Sequence, residues 1–282
     1  MNAALRWLAS LGWRHRPAAE AARWRSGPND VLLRPRLIQA LQAHRFEYRG
    51  ERYPLSAGGI DQVVREVEGL SLADGLLAAN ERFYRLLTLG VTVTEFMPDG
   101  KKHQPTVPLV DWEAPDTNQW DAVESPELHT TIGAHPRRPG VLGYVNGLPL
   151  VVIEGPASGG HPRAAPVHDA IQRQLHHQRP DETPGLFVYA QLLLALGSGE
   201  ARYATTGTPP RAWARWREEP GDGTGSNEPE RTVRALLRPE RLLELLRHFV
   251  LFDRRLGKVI ARPHQYFGVR AMLQRIQQRR PD

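Results

Sequence analysis

The residue types able to do chemistry in this chain are few and unevenly placed. Glu154 closes an apolar run, residues 148–153. Taken alone, a carboxylate there reads as an ordinary charged strand end facing solvent. Six of eleven histidines, His129, His135, His161, His168, His176 and His177, fall in the same region. Neighbouring helical residues point ~100° apart, so His176 and His177 cannot both face one site. No pair of histidines four apart stands beside a carboxylate in the zinc-hydrolase manner, so solvated or structurally satisfied histidines are expected. Residues 155–160 are Gly/Pro/Ser-rich, but their glycine spacing fits neither nucleotide fingerprint and no lysine follows, which predicts a flexible loop. Trp213 and Trp216 alternate with Arg211, Arg215 and Arg217. That pattern suits an arginine-and-aromatic surface for nucleic acid, or a core stripe with a solvated basic face, and the core stripe is preferred. No Gly-x-Ser-x-Gly elbow is present.

Composition narrows the choices further. The chain has 282 residues, a formal net charge of +6 and no cysteine. Disulfides, thiolate zinc sites, iron–sulfur clusters and cysteine nucleophiles are excluded. The 37 cationic residues include only three lysines, Lys101, Lys102 and Lys258, and none lies between His103 and Gly257. A pI near 9.9 suits a polyanionic partner such as nucleic acid, and equally an arginine-rich coding habit. The apolar runs fall well short of the ~20 residues that span a bilayer. Residues 1–13 carry Arg6 within their apolar stretch and no small-residue cleavage site, unlike a signal peptide. The expectation is a soluble cytoplasmic protein with no membrane association.

The elements that must position these residues change character along the chain. Helical spacing runs through residues 2–13, 33–44, 60–69 (capped by Asp61 or a neighbour) and 74–90; residues 14–30 read as loop. Strand patterns follow at 91–96, 107–112 and 120–124. Residues 140–145 and 148–154 flank Asn146-Gly147, a pair suited to a two-residue hairpin turn with positive φ at both positions. A helix is expected over 166–178, strands over 186–189, 191–196 and 201–204, and a short helix over 211–216. The acidic, Gly-rich residues 218–230 read as a linker, with helices over 239–252 and 263–278 beyond. This order predicts an α/β core: a mixed sheet flanked by helices, with N-terminal helices and a helical C-terminal tail.

The segment Arg138-Pro139-Gly140-Val141-Leu142-Gly143-Tyr144-Val145-Asn146-Gly147-Leu148-Pro149-Leu150-Val151-Val152-Ile153-Glu154 resembles the nuclease hairpin of the restriction subunit of type I restriction enzymes. That family has Arg-Pro-Asp, an apolar strand, Asn-Gly-Leu-Pro, a second apolar strand and Glu-x-Lys. Residues 79–91, 192–203 and 260–266 resemble the same subunit. The resemblance implies a restriction-endonuclease-like core, Mg²⁺-dependent phosphodiester hydrolysis, and double-stranded DNA with methylation and specificity subunits as partners. The chemistry suits the motif. Metal activates water and offsets phosphate charge, and a lysine two residues past the glutamate returns to the same strand face.

The chain departs from that pattern at the positions that matter most. Glu154 matches as catalytic carboxylate and metal ligand, but Gly140 stands at the metal-binding Asp and Pro156 at the lysine. Gln174 matches a helical glutamine of the family, with Gln178 where tyrosine is expected. Lys102 could swing in from another loop, and an arginine such as Arg163 would keep charge with a different reach. A further acidic residue that the family draws from its first helix has no counterpart, as if the chain began too late. Gln265, within Arg262-Pro263-His264-Gln265-Tyr266, matches a residue that contacts adenine where the family's ATP-driven motor begins; in isolation it reads as an exposed helix start. No phosphate-cradling Gly-x-x-x-x-Gly-Lys loop follows, so ATP belongs to a motor this sequence lacks. The expected organisation is a helical segment at 1–70, the nuclease-like domain at 71–217, a linker at 218–230 and the helical start of a motor at 231–282. The expected function is the N-terminal part of a type I site-specific deoxyribonuclease subunit, catalytically degenerate here. The alternatives are a non-catalytic module that binds DNA or the methyltransferase complex, and a gene remnant.

Overall fold

The hairpin at Asn146-Gly147 sits at the centre of the molecule. The computed structural model describes residues 2–156, 166–218 and 225–278. Asn146 and Gly147 take φ of +50° and +80°, the left-handed pair that lets a two-residue turn follow the strand twist. The turn joins two strands of a six-stranded sheet: β1 (Arg14–Arg16), β2 (Trp120–Glu124), β3 (Val141–Val145), β4 (Leu148–Glu154), β5 (Leu192–Leu196) and β6 (Ala201–Ala204). The strands lie side by side in that order. The β1–β2 and β4–β5 pairs are parallel and the other three antiparallel. Every residue of β3, β4 and β5 is buried, so both faces of the sheet are covered. That explains their unbroken apolar runs, since alternation appears only where one face meets water.

The described residues form ten α-helices: α1 (Ala3–Ser10), α2 (Ala18–Arg23), α3 (Arg34–Ala43), α4 (Ala57–Glu68), α5 (Leu76–Leu89), α6 (Val167–His177), α7 (Pro184–Tyr189), α8 (Glu228–Leu236), α9 (Pro239–His248) and α10 (Pro263–Gln278). Helix α6 lies on β4 and β5, and α7 packs between α5 and β4. Helices α1 and α8 pack together, where the Trp13 indole donates to Leu237 O at 3.0 Å. The mixed sheet with flanking helices and a helical tail is the α/β architecture expected from the sequence.

Several local expectations are corrected. Residues 186–189 belong to helix α7, not a strand: a short apolar run buried on all sides has no period, and Pro184 at the helix start decides the matter. Residues 14–30 are not plain loop but hold β1 and α2. Residues 211–216 form no helix; a 3₁₀ turn at Pro210–Ala212 leads into extended chain, and Ala214 bridges to Tyr203. Trp213 and Trp216 are buried there, as a core stripe requires. Helix α9 stops at His248, and Val250–Asp253 pairs with Gly257–Ile260 as an unforeseen hairpin. The strand expected over 91–96 is two short pieces, in separate pairs with Thr106–Val107 and Lys102–His103. Helix α4 is capped by Ser56, whose Oγ accepts from Gly59 N at 3.0 Å, rather than by Asp61.

Candidate functional site

Glu154 is the last residue of β4, paired with Ala195 of β5. It is not a solvent-facing strand end: only 4% of it is exposed. Its Oε1 accepts from the Gly140 N–H at 3.0 Å, and its Oε2 accepts from Arg173 Nε at 3.2 Å. Arg173 Nη2 donates to Gly155 O, so the guanidinium is held at two points. Arg173 and His177 are four apart on α6 and share a face, which brings His177 Nδ1 to 4.0 Å from Glu154 Oε1. Burial pushes the Glu154 carboxyl up, while the Gly140 N–H and Arg173 pull it back down. Burial, then the neighbouring His176, pushes His177 down to about 4, so its ring is neutral at pH 7.

Gln174 lies on the same helix but serves the sheet. Its Nε2 donates to Leu194 O at 2.7 Å and to Val152 O at 3.4 Å, clamping β5 to β4. Its Oε1 is buried with no hydrogen-bond partner among the described residues. Gln178 turns away, donating to Gln174 O and accepting from Gly207 N. Among the described residues the cation bonded to Glu154 is Arg173, which the sequence did not single out. The available signal was its spacing of four from His177, on the helix that must cover β4.

Lys102 and Lys258 are engaged elsewhere. Lys102 sits over the Phe96 ring in a separate two-stranded sheet. Lys258 is buried against Gln191, four residues before Ala195 along the chain entering β5. At ~3.3 Å per residue that is roughly 13 Å from the level of Glu154. Arg163 and His161 fall outside the described residues, as do residues 157–160 of the Gly-rich stretch.

A scan against family models matches residues 1–212 to the type I restriction enzyme R protein N terminus. The chain belongs to this family. Among curated proteins it is 31% identical, over 93% of its length, to the type I restriction enzyme HindI endonuclease subunit of Haemophilus influenzae. It is 24% identical, over 97% of its length, to the putative type I restriction enzyme MjaIXP endonuclease subunit of Methanocaldococcus jannaschii. The chain spans 25% and 27% of the length of these two relatives.

The restriction-enzyme R protein family implies Mg²⁺, and the donors at Glu154 can be tested for it. Mg²⁺ takes hard oxygen ligands in an octahedron, including one or two carboxylates. Among the described residues Glu154 is the carboxylate at this strand end, and a guanidinium already bonds it. Glu124, at the end of β2, pairs with Val141, whose side chain points opposite to that of Glu154. A Cβ at Gly140 would lie 2.5 Å from Ile153 O, so an aspartate does not enter without backbone movement. Among the described residues no group of three or more His, Asp and Glu forms a metal cluster. The residues at Glu154 do not fit a Mg²⁺ site.

Gln265 lies apart from this site, on α10. Its Oε1 accepts from Arg262 N at 2.8 Å, closing the helix start, and the side chain is exposed. With Arg262, Arg211, His248 and Lys258 it borders a cleft of about 640 Å³ beside the Val250–Ile260 hairpin. The apolar residues Val269, Met272, Leu273 and Ile276 of α10 are exposed. Among the described residues no helix is long and apolar enough to cross a membrane.

Proposed function

We infer that this chain is the nuclease-like N-terminal part of a type I restriction endonuclease subunit, and that its metal-dependent phosphodiester hydrolysis is degenerate. By family such a subunit acts on double-stranded DNA beside methylation and specificity subunits, with Mg²⁺ at the nuclease and ATP at a separate motor. One observation carries the loss of cleavage. The Glu154 carboxylate is bonded by Arg173 and by the backbone of Gly140, where a second metal carboxylate and a lysine are required. Metal activation of water and charge stabilisation by lysine each supply several kcal/mol to phosphoryl chemistry, and neither has its residue here. Glu154 and Gln174 keep the family's positions with altered work, one in an ion pair and the other across two strands.

A plasmid-nicking assay in Mg²⁺ and in Mn²⁺ tests the reading. No cleavage above background is expected. Cleavage that disappears in Glu154→Ala overturns it. A second reading, a non-catalytic module for DNA or for the methyltransferase complex, draws support from Arg173, which contacts Glu154, and from His176 and Arg179 further along the chain, all of which keep solvent-facing surface. Salt-dependent DNA binding without cleavage favours that module.

A further inference from the structure

The carboxylate that should hold a metal is buried, yet it is not left uncompensated. We propose that Arg173 is a built-in cation that occupies the charge-neutralising position of the divalent metal at Glu154, so that the chain folds without metal there. This rests on the reading that metal-dependent cleavage is lost, and it deepens that reading: the site is rebuilt around an internal charge rather than left open.

Three observations carry it. First, the Glu154 side chain is 5% exposed and its two oxygens are divided between Gly140 N and Arg173 Nε. A buried carboxylate needs a counter-charge, and among the described residues Arg173 supplies it. Second, the guanidinium is anchored on its far side by Gly155 O, the residue that directly follows Glu154. That second anchor fixes its plane toward the carboxylate, as a forked donor allows and an ammonium does not. Third, the chain at Gly140 has closed onto β4: a Cβ there would strike Ile153 O, and Gly140 O accepts from Ser125 N at 2.7 Å. The space of the family's aspartate is taken by backbone.

A guanidinium stays charged at every physiological pH, so this neutralisation does not lapse. It also repels a second cation from the same carboxylate. Two buried atoms on α6 have no hydrogen-bond partner among the described residues, Gln174 Oε1 and His177 Nδ1. One is a hard amide oxygen and the other an imidazole nitrogen, which Mn²⁺ accepts more readily than Mg²⁺ does, so Mn²⁺ is tested beside Mg²⁺.

The experiment is thermal unfolding of the whole chain in EDTA, Mg²⁺ and Mn²⁺, together with Mn²⁺ titration followed by electron paramagnetic resonance. The wild-type midpoint is expected to be the same in all three buffers, with no saturable Mn²⁺ binding. Arg173→Gln is expected to melt lower in EDTA and to regain midpoint in Mn²⁺, because metal that binds only the folded state stabilises it. Glu154→Gln/Arg173→Gln is expected to lose that response, and Arg173→Lys to resemble wild type in its indifference to metal. A wild-type midpoint raised by Mg²⁺ or Mn²⁺, with the rise abolished in Glu154→Gln, overturns the proposal. So does an Arg173→Gln protein that melts like wild type and takes no Mn²⁺. Should Arg173→Gln not fold, the wild-type titration decides alone: saturable binding that requires Glu154 overturns the proposal, and its absence upholds it. Metal response without plasmid cleavage defeats this inference only, whereas Glu154-dependent cleavage defeats the functional reading beneath it.

Discussion

Lys258 Nζ donates to Asn80 Oδ1 at 2.8 Å, a buried hydrogen bond between residues 178 apart in the chain. A second donation goes to Gln191 Oε1. The Tyr84 and Phe252 rings lie 5.7 and 5.5 Å from the amine, and no carboxylate pairs with it among the described residues. The node pins the Val250–Ile260 hairpin to α5 and to the start of β5. Burial pushes the amine well below its ordinary value of 10.5. Both acceptors are amide oxygens, so neither donation brings a counter-charge to offset that burial.

A pH dependence follows. Between the depressed folded pKa and 10.5, the unfolded chain binds a proton that the folded chain does not. Unfolding free energy therefore rises with pH through that window, by up to about 1.4 kcal/mol per unit. Urea unfolding at successive alkaline pH values should show this slope in wild type and lose it in Lys258→Met. An unchanged slope in the variant would place the proton elsewhere.

Asp121 is the second long-range node. Its carboxylate, fully buried, accepts from Arg16 Nε and Arg36 Nε, each at 2.8 Å. Both guanidinium groups also stack over Trp24. Asp121→Ala should cost about 3–5 kcal/mol, since a buried charge network loses its anion. Chemical denaturation measures the loss, and limited proteolysis should cut first within residues 14–36. A variant as stable as wild type would contradict the assignment of this network as the clasp of β1.

Gly147 tests the central turn. Its φ is +80°, and an added Cβ would lie 2.5 Å from Leu33 O and 2.8 Å from Leu37 N, both backbone atoms that cannot swing aside. Gly147→Ala should destabilise by at least about 2 kcal/mol. Gly185, in α7, has open space around its Cβ position. Gly185→Ala should be neutral or stabilising by about 0.5 kcal/mol, because it lowers the entropy of the unfolded chain. Equal effects of the two substitutions would refute the close approach at the turn.

Restoring the family's residues should not restore cleavage. In Gly140→Asp/Pro156→Lys the new aspartate meets Ile153 O, and Arg173 still bonds Glu154. The double variant is expected to melt lower than wild type, by roughly 1–3 kcal/mol of overpacking, and to nick plasmid no faster in Mg²⁺. Mg²⁺-dependent nicking that also requires Glu154 would show the backbone more yielding than this structure describes.

The sequence by itself determined the central hairpin, the place of Glu154 at its end and the helix that covers it. Those features rest on local rules: only a few residue pairs accept positive φ at both turn positions, and apolar runs between such signals form buried strands. The altered residues Gly140 and Pro156 were legible for the same reason, since each stands at a fixed offset from the turn. Tertiary structure alone decided what Glu154 meets. Arg173 lies 19 residues away, and its contact depends on how α6 settles across β4 and β5. It also decided that the lysine expected near Glu154 has no substitute among the described lysines, because Lys258 is held at the other end of β5 by Asn80 and Gln191. Local pattern fixes which face a side chain takes; only the packing of distant segments fixes which charge it finds there.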